Sequence, residues 1–379
     1  MENKEEVLPP AEKPKRKQKR GMPIALIVIY AMTAFAGLFY VLYRNVPVLA
    51  DAYNHTVGAL VRRIMAYLTV LMPFSVAEGL LIASPVILGF LIYSGIRYHN
   101  RSIRDALVYC GSVLSVLCIV FQLFVFGFAP GYYGYTVDRT LGMERKDVSP
   151  EELYETAVIL VTEINRVNDD VIFLQNGFSM MPYTLSAMND KLIEAYDMLS
   201  LRYDAVRNFY SKVKPVALSE GMSYTHITGV YTFFTGESNL NVSFPDYTLP
   251  YTAAHELAHQ RGFAREDEAN LIAFLACDAS SDPYIRYSGY VGMYQYVMNA
   301  LYRANKDLYR EVYLMSEESL RAEQTAYAEF FQKYEHSKVG EVSGAINNSY
   351  LQSQGTVGTK SYGMVVDLAV AYFRKQGAE

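Results

Sequence analysis

Tryptophan is absent from the 379 residues, and cysteine is scarce at three positions: Cys110, Cys118 and Cys277. So few cysteines exclude a disulfide framework. Cys110 and Cys118 lie in a long apolar run and read as small membrane-buried hydrophobes. Only Cys277 lies in the globular part, which therefore has no internal disulfide. A cysteine zinc site is excluded for the same reason, so any metal must be held by histidine and carboxylate. Histidine is also sparse, at six residues, and the formal net charge is -5. That balance excludes nucleic acid as a partner on bulk electrostatics. Apolar residues are plentiful: 51% of the chain is hydrophobic, and Tyr numbers 33.

The apolar residues are concentrated near the N-terminus. Residues 1–21 form a polar tail with a basic cluster of Lys13, Lys15, Arg16, Lys17, Lys19 and Arg20. The run from Pro23 to Tyr43 supplies the roughly 20 helical residues that a bilayer core of about 30 Å requires. Leu42, Tyr43 and Arg44 offer no small-residue cleavage site, which favours an uncleaved anchor over a signal peptide. Residues 22–43 are expected to be the first transmembrane helix, 76–96 the second and 106–129 the third. Between the first two, residues 44–75 carry His55, Arg62 and Arg63 and do not suit a span. There Val61 to Leu71 reads as an amphipathic helix at the outer interface, and Pro73, Phe74 and Ser75 turn the chain. Residues 97–105 hold Arg97, His99, Arg101 and Arg104, a basic loop that belongs in the cytoplasm with the N-terminus. The expectation is a multi-pass cell-membrane protein, partnered by the lipid bilayer, with residues 130–379 outside the cytoplasm.

The outer part reads as mostly helical. Ser149, Pro150 and Glu152 form a helix start, and helical periodicity follows from Leu153 to Val167. Helices are also expected over Leu185 to Tyr210, Pro250 to Gln260, Glu266 to Asp278, Pro283 to Arg303 and Glu317 to Tyr334. Gly229 to Phe234 is rich in β-formers and reads as a strand.

Within this part, His255, Glu256, Leu257, Ala258 and His259 carry the chemistry. On a helix, residues four apart share a face, so both imidazoles converge on one point. Glu256 projects beside that point, where a carboxylate can polarise a metal-bound water. The pattern fixes only three identities, and a chance match in a chain this long arises on the order of one per cent of the time. The bland alternative is a surface helix with two solvated histidines. Catalytic zinc takes a third protein ligand. Gly262 permits a tight turn, and either Glu266 or Glu268 on the next helix can face back, but not both. Glu266 is favoured because Ala269 and Asn270 share its face: Ala269 allows close approach and Asn270 can hydrogen-bond a ligand. The cofactor expected is Zn2+.

The set His255, Glu256, His259, Glu266, Ala269 and Asn270 resembles the gluzincin pattern, in which the following helix donates a Glu. It is similar in that signature to the ImmA/IrrE-type peptidases, which are soluble and lack the spans. The fuller stretch from Leu249 to Phe263 resembles a bacterial membrane family catalogued as domain of unknown function 3810. So do Pro73, Phe74 and Ser75, the run Phe234 to Asn241, and the three-span layout. The resemblance implies a zincin-like, mainly α (α+β) outer domain with a small sheet and a peptidase of unassigned substrate. Asn270 stands where better-studied gluzincins carry Asp, and the gap from His259 to Glu266 is short.

Peptidases of this type often align substrate along a sheet edge, which suggests that Glu237, Asn239 and Asn241 line a cleft; a polar turn is the equal alternative. His226, Tyr231, His336, Tyr350 and Tyr362 are candidate oxyanion donors, with Tyr362 preferred. The function expected is a membrane-anchored zinc metallopeptidase: His255, His259 and Glu266 as ligands, Glu256 as general base and Tyr362 as the second catalytic residue. The alternative is a non-catalytic, zinc-stabilised sensor or scaffold. A transporter is disfavoured, because Glu78 is the one acid close to the spans.

Overall fold

The computed structural model describes residues 22–99 and 102–378. The basic tail and Arg101 lie outside the described residues. The chain is mostly helical, with three long apolar helices near the N-terminus and a small sheet.

The first apolar helix is α1 (Ile24–Asn45). Helix α2 (Pro47–Tyr53), one π-helical turn (Asn54–Gly58) and α3 (Ala59–Val70) follow. Helices α4 (Val76–His99) and α5 (Ile103–Gly127) are the other two apolar helices. All three are long and apolar enough to cross a membrane. Two short helices, α6 (Pro130–Tyr133) and α7 (Val137–Thr140), lead into the globular part.

There the chain runs α8 (Pro150–Val167), β1 (Ile172–Phe173), β2 (Ser179–Met180), α9 (Leu185–Arg202), β3 (Lys214–Pro215) and α10 (Ser219–Ser223). It continues with β4 (Gly229–Thr232), β5 (Glu237–Leu240), α11 (Leu249–Arg261), α12 (Glu266–Ala279), α13 (Pro283–Ala304) and α14 (Lys306–Met315). The last helices are α15 (Glu318–Glu335), α16 (Lys338–Ser353) and α17 (Val365–Ala378). One hydrophobic core extends from Val137 to Tyr372. Strands β3, β5 and β4 form a sheet in that order, β3 parallel and β4 antiparallel to β5, so β4 is an edge strand.

Local chemistry explains the boundaries. Helix α8 starts at a capping box in which Ser149 and Glu152 satisfy each other's backbone N–H groups. Helix α11 has Pro250 in its first turn and ends at Gly262, whose φ of 106° suits glycine. Helix α9 stops at Arg202 instead of running to Tyr210. The reason lies in Arg261: its guanidinium takes the Phe209 carbonyl and the Asn208 carboxamide oxygen, and it stacks 4.0 Å from the Tyr196 ring. The residues after 202 are thus committed to a buried arginine. Strand β4 ends at Thr232, two residues short of Phe234, where the chain turns back through Gly236 at a φ of 73°. Helices α14 and α16 have no counterpart in the sequence reading. In α16, Gly340, Gly344, Asn347 and Asn348 weaken the helical signal.

The segment between the first two apolar helices is bound into the protein. Arg63 lies over the Tyr67 ring, but Arg62 is buried. It was expected to sit in a helix at the outer interface; instead it reaches inward. Its guanidinium donates to the Gly127 carbonyl (2.9 Å), the Arg261 carbonyl (3.3 Å), the Asn54 carbonyl (2.9 Å) and Asn54 Oδ1 (2.9 Å). Gly127 and Arg261 are the last residues of α5 and α11. Helix C-termini leave carbonyls unpaired and carry partial negative charge, so one cation serves two helix ends. Burial lowers the Arg62 pKa only to about 10, so it stays charged at neutral pH.

A second tie runs through Glu237. Its buried carboxylate accepts from Lys214 (2.6 Å) and from the Val76 and Ala77 N–H groups (3.0 Å each). Lys214 also donates to the Thr69 and Phe74 carbonyls. A residue of the sheet therefore caps the second apolar helix, which explains why Glu237 does not line the cleft. Glu78, in the first turn of α4, accepts from the Ala217 and Leu218 N–H groups, a structural use; it is not the one acid there, because Asp105 lies in the first turn of α5.

Replacing Arg62 with Met should cost roughly 3 kcal/mol or more, because several buried acceptors lose their donor. Thermal unfolding of the full chain in detergent micelles measures this, and an unchanged melting temperature contradicts the latch.

Candidate metal centre

Helix α11 is buried along nearly its whole length. Its two histidines face the start of α12, brought back by the turn at Gly262. His255 Nε2 lies 3.2 Å from Glu266 Oε2, and His259 Nε2 lies 3.3 Å from the same oxygen. The three candidate donor atoms fall within 4.8 Å of one another. Glu268, the alternative, faces elsewhere: it pairs with Arg265 and accepts from the Val137 N–H. Ala269 is fully buried.

The surroundings prepare these atoms for a cation. His259 Nδ1 lies 2.7 Å from the Phe263 carbonyl, which makes Nδ1 the donor and leaves the Nε2 lone pair towards Glu266. Glu266 Oε2 is buried and makes no aligned hydrogen bond, although two imidazole nitrogens stand beside it. Two lone-pair donors facing each other in a buried space repel unless a proton or metal ion lies between them. Burial works against a charged His259, but the Glu266 carboxylate outweighs it and raises the imidazole pKa to about 9. Burial likewise opposes an ionised Glu266, yet the two imidazoles hold it well below the usual carboxylate range. Two imidazoles and one carboxylate suit a zinc-type ion with an open position, and offer too few oxygens for calcium.

Glu256 is buried beside this cluster, and the Tyr231 N–H bonds its carboxylate. Burial raises its pKa; the histidines and Tyr231 pull it down only in part. Space for Glu256 comes from Gly229 on β4: a Cβ there would lie 2.6 Å from Glu256 Oε1. A glycine inside a strand pattern marks close approach, and Gly229 is such a signal in the sequence.

Two cavities meet at this point. The larger, about 490 Å3, and the smaller, about 240 Å3, share His255, Glu256, Gly229, Asn347 and Tyr362 in their walls. Tyr362 therefore stands at the junction, and its hydroxyl accepts from Asn347 Nδ2 at 3.3 Å. Tyr231 and Tyr350 line the smaller cavity. His226 lines the larger one, with Nε2 held 2.7 Å from the Tyr334 carbonyl. His336 ends α15 and lines neither.

Two expectations need correction. Like Glu237, Asn239 and Asn241 hold structure: Asn239 bonds the Val230 carbonyl and Thr232, and Asn241 bonds Ser223 and the Ile227 carbonyl. Glu237 and Asn239 sit on β5, the central strand, Asn241 follows directly after it, and the cleft is walled by the edge strand β4. Asn270 contacts the Tyr296 hydroxyl and the Tyr362 carbonyl rather than a histidine, and His255 Nδ1 is buried without a partner among the described residues. Phe128, Tyr132 and Asn347 also line the site and escaped sequence reading, since they are far from the histidines in the chain.

Metal content separates these roles. His255→Ala, His259→Ala and Glu266→Gln should each weaken zinc binding by about a hundredfold or more, whereas Glu268→Gln should lower stability and keep the metal. Zinc titration of purified full-length variants decides it, and unimpaired binding by both histidine variants contradicts the assignment.

No curated protein and no solved structure matches the chain. The family described as protein of unknown function (DUF3810) matches residues 53–370. The match takes in α3, the second and third apolar helices and the paired histidines, so the chain belongs to the DUF3810 family.

Proposed function

We propose that this protein is a membrane-anchored, zinc-dependent metallopeptidase of gluzincin type that hydrolyses peptide bonds outside the cytoplasm. One observation carries the reading: three buried donor atoms converge while a fourth group, Glu256, stands beside them in the same cavity with a raised pKa. His255, His259 and Glu266 would hold the ion. Zinc, when bound, supplies Lewis acidity and lowers the pKa of water towards about 7.

The remaining work falls to this chain's own groups. Glu256 accepts the proton of the attacking water and returns it to the leaving amine, from its buried place beside the cluster. The Tyr362 hydroxyl accepts from Asn347 and so keeps its own proton free to donate to the developing oxyanion. Edge strand β4 offers its free side to an extended substrate backbone.

In the full-length protein, Glu256→Gln should retain zinc and lose peptide hydrolysis by about a thousandfold or more, and Tyr362→Phe should lose about a hundredfold. Hydrolysis of a fluorogenic peptide library measures both. Undiminished hydrolysis by Glu256→Gln overturns the reading.

Sidedness is part of the proposal. It rests on three apolar helices after a basic tail, with a basic loop between the second and third. A reporter active only outside the cytoplasm, fused after Glu379, should be active; activity of a cytoplasm-only reporter there contradicts the topology.

A further inference from the structure

The two cavities that meet at Glu256 differ in what they offer besides aromatic rings: the smaller holds the histidine cluster, the larger a set of hydroxyl and carboxamide groups. The smaller is walled by Phe128, Tyr132, Tyr231, Phe233 and Tyr350 around the histidine cluster. The larger is walled by hydroxyl and carboxamide groups such as Thr252, Ser288, Gln295 and Asn299, together with tyrosine rings such as Tyr251 and Tyr296. Among the described residues its wall contains no Lys, Arg or Asp; Glu256 is its one carboxylate, and His226 and His255 are its histidines. In a chain of which 19% is charged, a wall of this size drawn at random would carry several charges. Its volume of about 490 Å3 suits a short peptide segment.

These walls set what can enter. A Lys, Arg, Asp or Glu side chain placed in the larger cavity would give up water and find no opposite charge apart from Glu256, which is committed to the reaction. Hydroxyl, carboxamide and backbone groups would find partners among the Thr, Ser, Asn and Gln side chains. An aromatic or aliphatic side chain fits the smaller cavity, where rings can pack edge to face.

We infer that the cleft takes a peptide whose cleaved bond joins an apolar or aromatic residue, seated in the smaller cavity, to a run of uncharged polar residues, seated in the larger one. This selectivity rests on the peptidase reading above, and charged residues on the polar side are rejected.

The test uses zinc-loaded full-length protein in micelles and a peptide library varied on both sides of a central bond. Product sequencing should find Ser, Thr, Asn, Gln and Gly on the polar side, with Asp, Glu, Lys and Arg depleted by about tenfold or more. Gln295→Glu or Asn299→Asp adds a carboxylate to the wall and should admit Lys and Arg there; two positions guard against one variant failing to fold. Binding of labelled peptides to the Glu256→Gln protein is read in parallel. Selective binding without cleavage by the wild type overturns the peptidase reading and upholds the selectivity. Cleavage or binding indifferent to charge, or no peptide binding at all, overturns the selectivity.

Discussion

Two imidazole nitrogens and a carboxylate oxygen share one buried space, both nitrogens within 3.3 Å of Glu266 Oε2. Such an arrangement is repulsive between neutral imidazoles and a carboxylate and attractive only around a positive charge. Much of the local architecture serves to hold it. Gly262 turns the chain so that α12 returns Glu266 to the histidines, and the Phe263 carbonyl just beyond fixes the His259 tautomer. Gly229 clears the space in which Glu256 stands.

The same turn is where the chain between the first two apolar helices reaches the site. Arg62 donates to the Arg261 carbonyl, and Asn54 Nδ2 donates to the Gly262 carbonyl at 3.1 Å. The segment between the first two apolar helices thus closes the C-terminus of α11 three residues beyond His259. One guanidinium also joins that end to the end of the third apolar helix through Gly127. The position of the histidine helix and the packing of the apolar helices are therefore linked by short, buried hydrogen bonds.

Features governed by local rules were legible in the sequence. The capping box at Ser149, the glycine stop at Gly262 and the period of four at His255 and His259 act within a few residues. That Glu266 and Glu268 face different ways was legible too, from helix geometry; that Glu266 is the one beside the histidines depends on how the turn at Gly262 sets α12 against α11. Interactions made across the chain were not. Glu237 reads as polar cleft lining until Lys214 and the start of α4 are brought to it from 23 and about 160 residues away. Arg62 looks like an interfacial charge until three carbonyls surround it. Tyr132 and Asn347 carry no motif at all, and only the fold brings them to the histidines.

A buried cluster of two imidazoles and a carboxylate, a second carboxylate of raised pKa and a cavity wall poor in charge meet in one cleft. The central claim is the identity and ligation of the proposed ion. X-ray absorption at the zinc edge, on full-length protein purified with zinc, tests that claim directly. The account predicts one zinc per chain with two imidazole nitrogens, one carboxylate and a light-atom fourth ligand at roughly 2.0–2.2 Å. A protein that stays folded and zinc-free, or a spectrum with a single imidazole or with sulfur in the shell, would contradict it.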